Sequence, residues 1–458
     1  MKKKKFLSSI LGVALVGVIA GCGGSDNNDN TLNDTAEGSE VNNAGAEAEE
    51  EAVTIRLHHW YNIEQDNWNE VVAAFEEEHP HINIEMNSPE NNDANETVQQ
   101  MDLAAASGDQ LDVMMINNAQ DYSQRVGQGM FEPLNGFIEE DGYEYEDEYS
   151  VNTAVDGDYY ALPGKFNGFF VMLNEDALDE AGLEVPEEWT WDEYMDYAEQ
   201  LSEGEGADRR YGTFFHTWLD YMKLAVFNQP EDSNIIKDDG VTSNIDSEHI
   251  RKSLEIRERG HEDNSATPYA DTISLDLNYR DQFFGESAAM IMTGTWMIND
   301  TSGTDEYPPF NLAYAPYPKA AEGDDSTSPS GADFLAIYSG SDYKEEAYEF
   351  IRWYTTEGIT MQGKYLPDPQ AVDIEEVVNN LLEEADDLDQ EGVNVDSLIH
   401  TLETQEPAAL NIPPAYIGEA ESAYENEVES FLLGDQDLDT TIENAHEAVQ
   451  NVIDQNAE

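Results

Sequence analysis

The stretch VTIRLHHWYNIEQDNWNEVVAAFEEEHPHINIEMN, Val53–Asn87, changes its hydrophobic period twice. Val53, Ile55 and Leu57 alternate with other residues, as a strand with one buried face requires. Trp68, Val71, Val72 and Phe75 then recur at i, i+3, i+4 and i+7, which predicts a helix that Pro80 stops. Ile82, Ile84 and Met86 alternate again. Further on, VQQMDLAAASG (Val98–Gly108) reads as a helix ended by its glycine, and LDVMMIN (Leu111–Asn117) as an apolar strand. Strand, helix, strand, helix, strand implies right-handed crossovers, hence an α/β fold with a largely parallel sheet.

A second region opens at YYALPGKFNGFFVMLNEDAL (Tyr159–Leu178), where Pro163 and Gly164 are expected to separate two apolar strands. WTWDEYMDYAEQL (Trp189–Leu201) predicts a helix with a capping box, Thr190 as N-cap and Glu193 three residues on, with Trp189 and Tyr194 as the staple. Strands are expected in AAMIMTG (Ala288–Gly294) and DFLAIYSG (Asp333–Gly340), and a helix in YKEEAYEFIRWYTTEG closed by Gly358. From about Asp373 the chain reads as acidic helix with loops.

Ahead of Val53 the composition changes. Residues 23–52 lack aromatics and hold few aliphatics, so they cannot bury enough surface to offset their ordering entropy. Residues 22–52 are expected to be an acidic tether. Residues 1–21 show a basic start, MKKKK, an apolar run and small residues, the pattern of a secretory signal. Cys22, the single cysteine, follows Ala20 and Gly21 in VIAGCGGS (Val18–Ser25). This resembles the bacterial lipoprotein signal, which implies lipidation of Cys22, a membrane held through that lipid, and an extracytoplasmic location.

The charge is extreme: 99 acidic against 20 basic side chains gives a net of -79. Such a surface repels itself at low ionic strength and is relieved by salt, which points to saline surroundings. It excludes a nucleic-acid partner, since no Lys/Arg stripe exists to neutralise phosphates.

Catalytic signatures fail one by one. GITMQGKY (Gly358–Tyr365) nearly matches a phosphate loop but has Tyr365 in place of the magnesium-binding hydroxyl. GESAA (Gly285–Ala289) misses the last glycine of a nucleophile elbow, and HEAVQ at His446 lacks the second zinc-binding histidine. DLDQEGVNVDSL from Asp387 resembles a calcium loop, yet Leu398 stands where the bidentate glutamate belongs. No metal, cofactor or enzymatic activity is expected. With so many acids, proximity of two carboxylates is no evidence for a glycosidase, which stays as the alternative from another class. A ligand-sensing partner of a membrane receptor is a further alternative.

Aromatic residues at strand ends say more, because open α/β sheets bind ligands beyond the carboxyl ends of their strands. Three such ends read HHWYN (His58–Asn62), NNAQ (Asn117–Gln120) and TGTW (Thr293–Trp296). They place flat apolar faces beside amides and hydroxyls, which suits a polar, uncharged ligand such as a sugar. Trp60 and Trp296 are read as stacking platforms in preference to core. For Trp218, in FFHTWLDY, packing on a helix is the stronger reading. Trp189, Trp191 and Trp353 are expected in the core. Asp333 suits a ligand hydrogen bond or a cap equally.

The order of VTIRLHHW, FEEEHPHINIE, AAASGDQLDVMMIN, GMFEPL, DGDYYALPGKFNGFFVMLNEDAL, FFGESAAMIMTGTW and AYEFIRWYTTEG resembles the family 1 extracellular solute-binding proteins of ABC sugar importers, the maltose-binding-protein type. The resemblance implies a two-lobed periplasmic-binding-protein fold of type II with hinge-connected lobes and a discontinuous chain. It implies crossing at LPGKFNG (Leu162–Gly168), an N-terminal lobe of 53–165 plus 288–317 and a C-terminal lobe of 166–287 plus 318–458. Its ligand contacts fall on Trp60, Tyr61, Asn117, Asn118, Phe166, Asn167, Trp218, Trp296 and Gly331 to Asp333. Implied partners are a sugar or oligosaccharide and the permease subunits of the importer; the binding protein itself is expected to be a monomer.

Overall fold

The computed structural model describes residues 52–456, except 90–92, 230, 299, 301, 303–306, 325–326, 368–373, 384–391, 405, 409 and 411. The signal, nearly all of the tether, Cys22 and the start of the calcium-like loop lie outside the described residues.

The opening stretch forms the elements its periods predict: strand β1 (Val53–His58), helix α1 (Trp68–Glu78) and strand β2 (Ile82–Asn87). Trp68, Val71 and Phe75 are buried on one face of α1. Helix α2 (Ala94–Ser107) starts earlier than expected because Asp93 caps it, accepting from the Glu96 amide, and Gly108 ends it at φ 76°. Strand β3 (Val113–Ile116) and helix α3 (Ala119–Gly127) complete this part. Strand β1 lies between β2 and β3 and is parallel to both.

Strand β4 runs unbroken from Ala161 to Asn174, so Pro163 and Gly164 do not divide it. The proline lacks an N–H, and it faces Phe334 where the register shifts in the neighbouring strand β8 (Ser330–Ile337). Gly164 is needed for space: a Cβ there would come within 2.7 Å of Leu335 Cδ1. The two halves of β4 belong to different lobes. Residues 161–168 pair with β8, which is antiparallel to β3. Residues 169–174 pair with strands β6 (Ala288–Gly294) and β7 (Leu312–Ala315), and β6 is parallel to strand β5 (Tyr211–Phe214). The sheet is therefore mixed, with parallel strands at its two ends and antiparallel ones between.

Each lobe has its own core. In the first, Leu57, Trp68, Phe75, Leu162, Leu335 and Phe350 pack together. In the second, Val171 and Leu173 face one cluster and Phe170 and Met172 another, the period of 2 that a sheet covered on both faces requires. The capping box at Thr190 and Glu193 opens helix α4 (Trp191–Leu201), and the Trp189 and Tyr194 rings meet edge to face 5.2 Å apart. Trp189, Trp191 and Trp353 are buried, as expected.

The strand pairing corrects the expected division of the chain. Segment 288–317 does not return to the first lobe: β6 and β7 both pair with the second half of β4. All seven residues of β6 are buried, a pattern that suits a central strand of either lobe and so does not say which. The chain returns to the first lobe at β8 and passes back near Leu366 and Pro367, where Leu366 O accepts from Phe166 N. Helix α5 (Lys344–Trp353) also differs from expectation, because Gly358 does not close it. A π-helical turn, Tyr354–Gly358, carries it into Ile359–Gln362, and Gly363 ends it at φ 66°. Helix α6 (Val395–Thr404) buries Leu398 in the second lobe, which removes that residue from any calcium shell.

Candidate functional site

Strand β1 delivers His59, Trp60 and Tyr61 to the place where the chain passes between lobes. The Tyr61 hydroxyl donates to Asp333 Oδ2, and burial holds that hydroxyl far above its ordinary pKa, so it stays a donor. Asp333, on β8, also accepts from Asn167 Nδ2 at 2.9 Å and pairs with Lys165 Nζ at 3.6 Å. The ammonium of Lys165 lies 4.9 Å from the Tyr61 ring centroid and 4.7 Å from that of Tyr365. Asp66 fixes the loop that follows Tyr61. One carboxylate oxygen accepts from the Asn62 amide at 2.9 Å and the other from the Tyr365 hydroxyl at 2.5 Å.

The second lobe supplies the aromatic side. After β6, Thr295 Oγ1 donates to Phe166 O at 2.8 Å, tying the strand end to the crossing segment. The Trp296 indole folds back over Gly294, where a Cβ would come within 2.1 Å of its ring. Phe169 meets Trp296 edge to face at 5.1 Å, and the Trp218 and Trp296 centroids are 6.2 Å apart with planes inclined by 57°. Tyr279 lies 5.5 Å from Trp218 and His216 only 4.1 Å from it.

Of the residues the sequence points to, Tyr61, Asn167 and Asp333 are joined by hydrogen bonds, and Gly331 pairs with Asn167 in the sheet. Trp60 adjoins Tyr61 at 5.2 Å. Phe166 contributes its backbone to both Thr295 and Leu366. Trp218 and Trp296 form an aromatic corner. Asn117 and Asn118 follow β3, whose Ile116 pairs with Phe334, the neighbour of Asp333. The Asn118 amide is committed to capping: it accepts from Asp121 N at 2.7 Å and donates to Asn117 Oδ1 and Asp121 Oδ2. Sequence reasoning missed Lys165, His216, Tyr279 and Tyr365, and reached Thr295 only as part of TGTW. Only Lys165 left a signal, as a cation inside an apolar strand of a very acidic chain.

The cations around the site are already matched. Lys165 faces Asp333, Arg280 pairs with Asp300 at 2.7 Å, and Lys223, almost wholly buried, lies between Asp220 and Glu421 at 3.9 and 3.8 Å. His58, His59 and His216 are each lowered to about 4, chiefly by burial, and are neutral at pH 7. Among the described residues no group of His, Cys, Asp and Glu is arranged to hold a metal ion.

Two lobes with a discontinuous chain, and a junction lined by aromatic rings, amides and neutralised charges, define a ligand-binding protein built on a hinge. The chain belongs to the family of bacterial extracellular solute-binding proteins, whose family model matches residues 61–361. Its fold is that of the maltose-binding-protein-like substrate-binding proteins of sugar ABC transporters. An ABC substrate-binding protein from Listeria monocytogenes in complex with cycloalternan superposes with a TM-score of 0.70 at 18% identity, covering 88% of this chain and 99% of that one. A solute-binding protein from Thermotoga lettingae bound with α-D-tagatose gives 0.68 at 19% identity, covering 88% and 100%. UgpB from Mycobacterium tuberculosis, in complex with glycerophosphocholine, gives 0.69 at 17% identity, covering 89% and 99%. In sequence, an arabinooligosaccharide-binding protein from Halalkalibacterium halodurans is 34% identical over 53 residues, a match spanning 12% of each chain.

Proposed function

We propose that this protein is the extracytoplasmic binding subunit of an ABC importer that takes a neutral saccharide between its lobes and delivers it to the permease. The observation that carries this reading is that the Tyr61–Asp333–Asn167 hydrogen-bond cluster and the Trp218–Trp296 corner both adjoin the crossing segment of β4, through Asn167 on one side and through Thr295 to Phe166 O and Trp296 to Phe169 on the other. Sugar C–H faces stack on rings while hydroxyls bond to amides and carboxylates. The matched cations support a neutral ligand. An anionic group would have to displace Asp333 from Lys165 or Asp300 from Arg280.

Trp60, Tyr61, Asn117, Asn167, Trp218, Trp296 and Asp333 are the contacts assigned to the ligand. Phe166 and Gly331 shape the crossing strands, and Asn118 holds Asn117 in place. Ligand binding shifts the hinge towards closure and no bond is made or broken. The chain acts as a monomer held to the membrane by a lipid on Cys22, and its acidic surface suits saline surroundings. The relatives are binding proteins, which gives the glycosidase alternative no support. Incubation with oligosaccharides followed by chromatography tests this: the saccharides should be recovered intact, and cleavage would overturn the reading. A mass measurement of the mature N-terminus tests the anchor, which requires a lipidated Cys22 as the first residue.

A further inference from the structure

Trp218 is the one tryptophan among the large exposed apolar side chains, at 37% exposure, and its ring does not stand alone. The His216 imidazole lies behind it with centroids 4.1 Å apart and planes inclined by 39°. His216 Nδ1 accepts from the Trp218 backbone N–H at 3.1 Å, so the ring nitrogen facing Trp218 carries a lone pair. Thr217 Oγ1 is 3.4 Å from the same nitrogen. The imidazole is itself held between aromatic edges, with Tyr279 at 5.3 Å, Tyr221 at 6.0 Å and Phe214 at 6.3 Å. Tyr221 and Tyr279 also approach Trp218, at 6.2 and 5.5 Å. The indole thus packs against neighbouring rings, His216 the nearest, while the residue keeps 37% exposure.

We propose that His216 is a positioning residue that holds Trp218 as a one-sided stacking platform for one ring of the bound saccharide. The inference rests on the reading that the junction takes a saccharide. Two constraints act together: the backbone hydrogen bond fixes the turn that carries Trp218, and the ring contact fixes the indole plane. An exposed indole without such backing samples several rotamers, and ordering it on binding costs affinity. The planes of Trp218 and Trp296 are 57° apart, so a single flat sugar face cannot stack on both. The corner accordingly takes two successive rings, and His216 serves the one on Trp218.

The test is a double-mutant cycle on the full chain, read by titration with maltotriose, mannotriose and arabinotriose as probes. Trp218→Ala and His216→Ala are each expected to weaken the trisaccharide that binds by about three- to tenfold. The double variant should bind no more weakly than Trp218→Ala alone, because His216 acts only through Trp218. His216→Phe, which keeps the ring and loses the acceptor, should recover part of the loss, and His216→Asn serves as the second variant if His216→Ala does not fold. Unchanged affinity in the folded His216 variants, or losses that add in the double variant, overturn the proposal. A wild-type chain that responds to none of the three probes and to no other neutral mono- or oligosaccharide removes the saccharide reading, and the proposal falls with it.

Discussion

The Lys165 ammonium and the Asp333 carboxylate lie 3.6 Å apart with side chains only 7% and 2% exposed, on adjacent antiparallel strands where the chain passes between lobes. Each neutralises the other in a place where water cannot. Asp333 also accepts from Tyr61 and Asn167, so the pair links the stability of the hinge to the geometry of the site.

Removing one partner leaves an uncompensated buried charge. Lys165→Met is expected to lower the unfolding free energy by about 3 to 5 kcal/mol, and Asp333→Asn by a similar amount. Lys165→Met combined with Asp333→Asn should cost less than the sum. Denaturant unfolding of the four proteins measures this, and strict additivity would contradict the pairing.

Gly294 tests how the aromatic corner is built. A methyl group at this position would come within 2.1 Å of the Trp296 ring, and the backbone φ of -142° is open to any residue, so the effect is steric. Gly294→Ala should displace the indole and weaken saccharide binding by about tenfold while the chain stays folded. Near-ultraviolet circular dichroism and a saccharide titration report the two effects separately.

The neutral, buried His59 gives a pH dependence. Its ring nitrogen Nδ1 accepts from Tyr61 N at 3.2 Å, Nε2 has no hydrogen-bond partner among the described residues, and burial lowers its pKa from 6.5 to about 4. The unfolded chain takes up this proton first as pH falls, so the native state loses stability from about pH 6.5 down to about 4 and no further below that. The loss is on the order of 3 kcal/mol. His59→Leu lacks it, so the stability difference between variant and wild type should move in the variant's favour over this window. A difference that stays constant with pH would show that folding does not lower the His59 pKa.

Much of the first lobe was legible because β1, α1 and β2 each bury one face, and one-sided burial writes a period into the sequence. The same logic failed at β4 and β6. Both are buried on two faces, so their apolar runs carry no period, and Pro163–Gly164 looked like a break although the bulge opposite accommodates it. The assignment of 288–317 to the first lobe came from the resemblance, and the pairing of β6 and β7 with the second half of β4 replaces it. Position after β1 and β6 was enough to draw attention to Trp60, Tyr61 and Trp296, whereas Asp333, read as the start of a strand, lies inside β8. Strand-end position could not find His216 or Tyr365, whose roles depend on rings brought together from distant segments. Asn118 was chosen as a ligand contact, and its amide is instead used up in capping α3.

Salt should stabilise this chain. With a net charge of -79, mutual repulsion in the native surface is strong at low ionic strength and is screened within about 3 Å at 1 M. The melting temperature is expected to rise steadily from about 0.05 M to about 2 M sodium chloride. A flat or falling response would show that the acidic surface is not the limiting factor.

Every role proposed for the aromatic corner depends on a neutral saccharide binding at the junction of the lobes. A thermal-shift screen of the full chain in high salt tests that binding most directly, with neutral mono- and oligosaccharides set against glycerophosphodiesters and amino acids. Binding raises stability by RT ln(1 + [L]/Kd), so a true ligand at 100 times its Kd adds about 2.7 kcal/mol. At least one neutral saccharide is expected to raise the midpoint, and Trp296→Ala to abolish the shift. A shift produced by glycerophosphocholine or an amino acid, with none from any saccharide, would contradict saccharide binding at the junction.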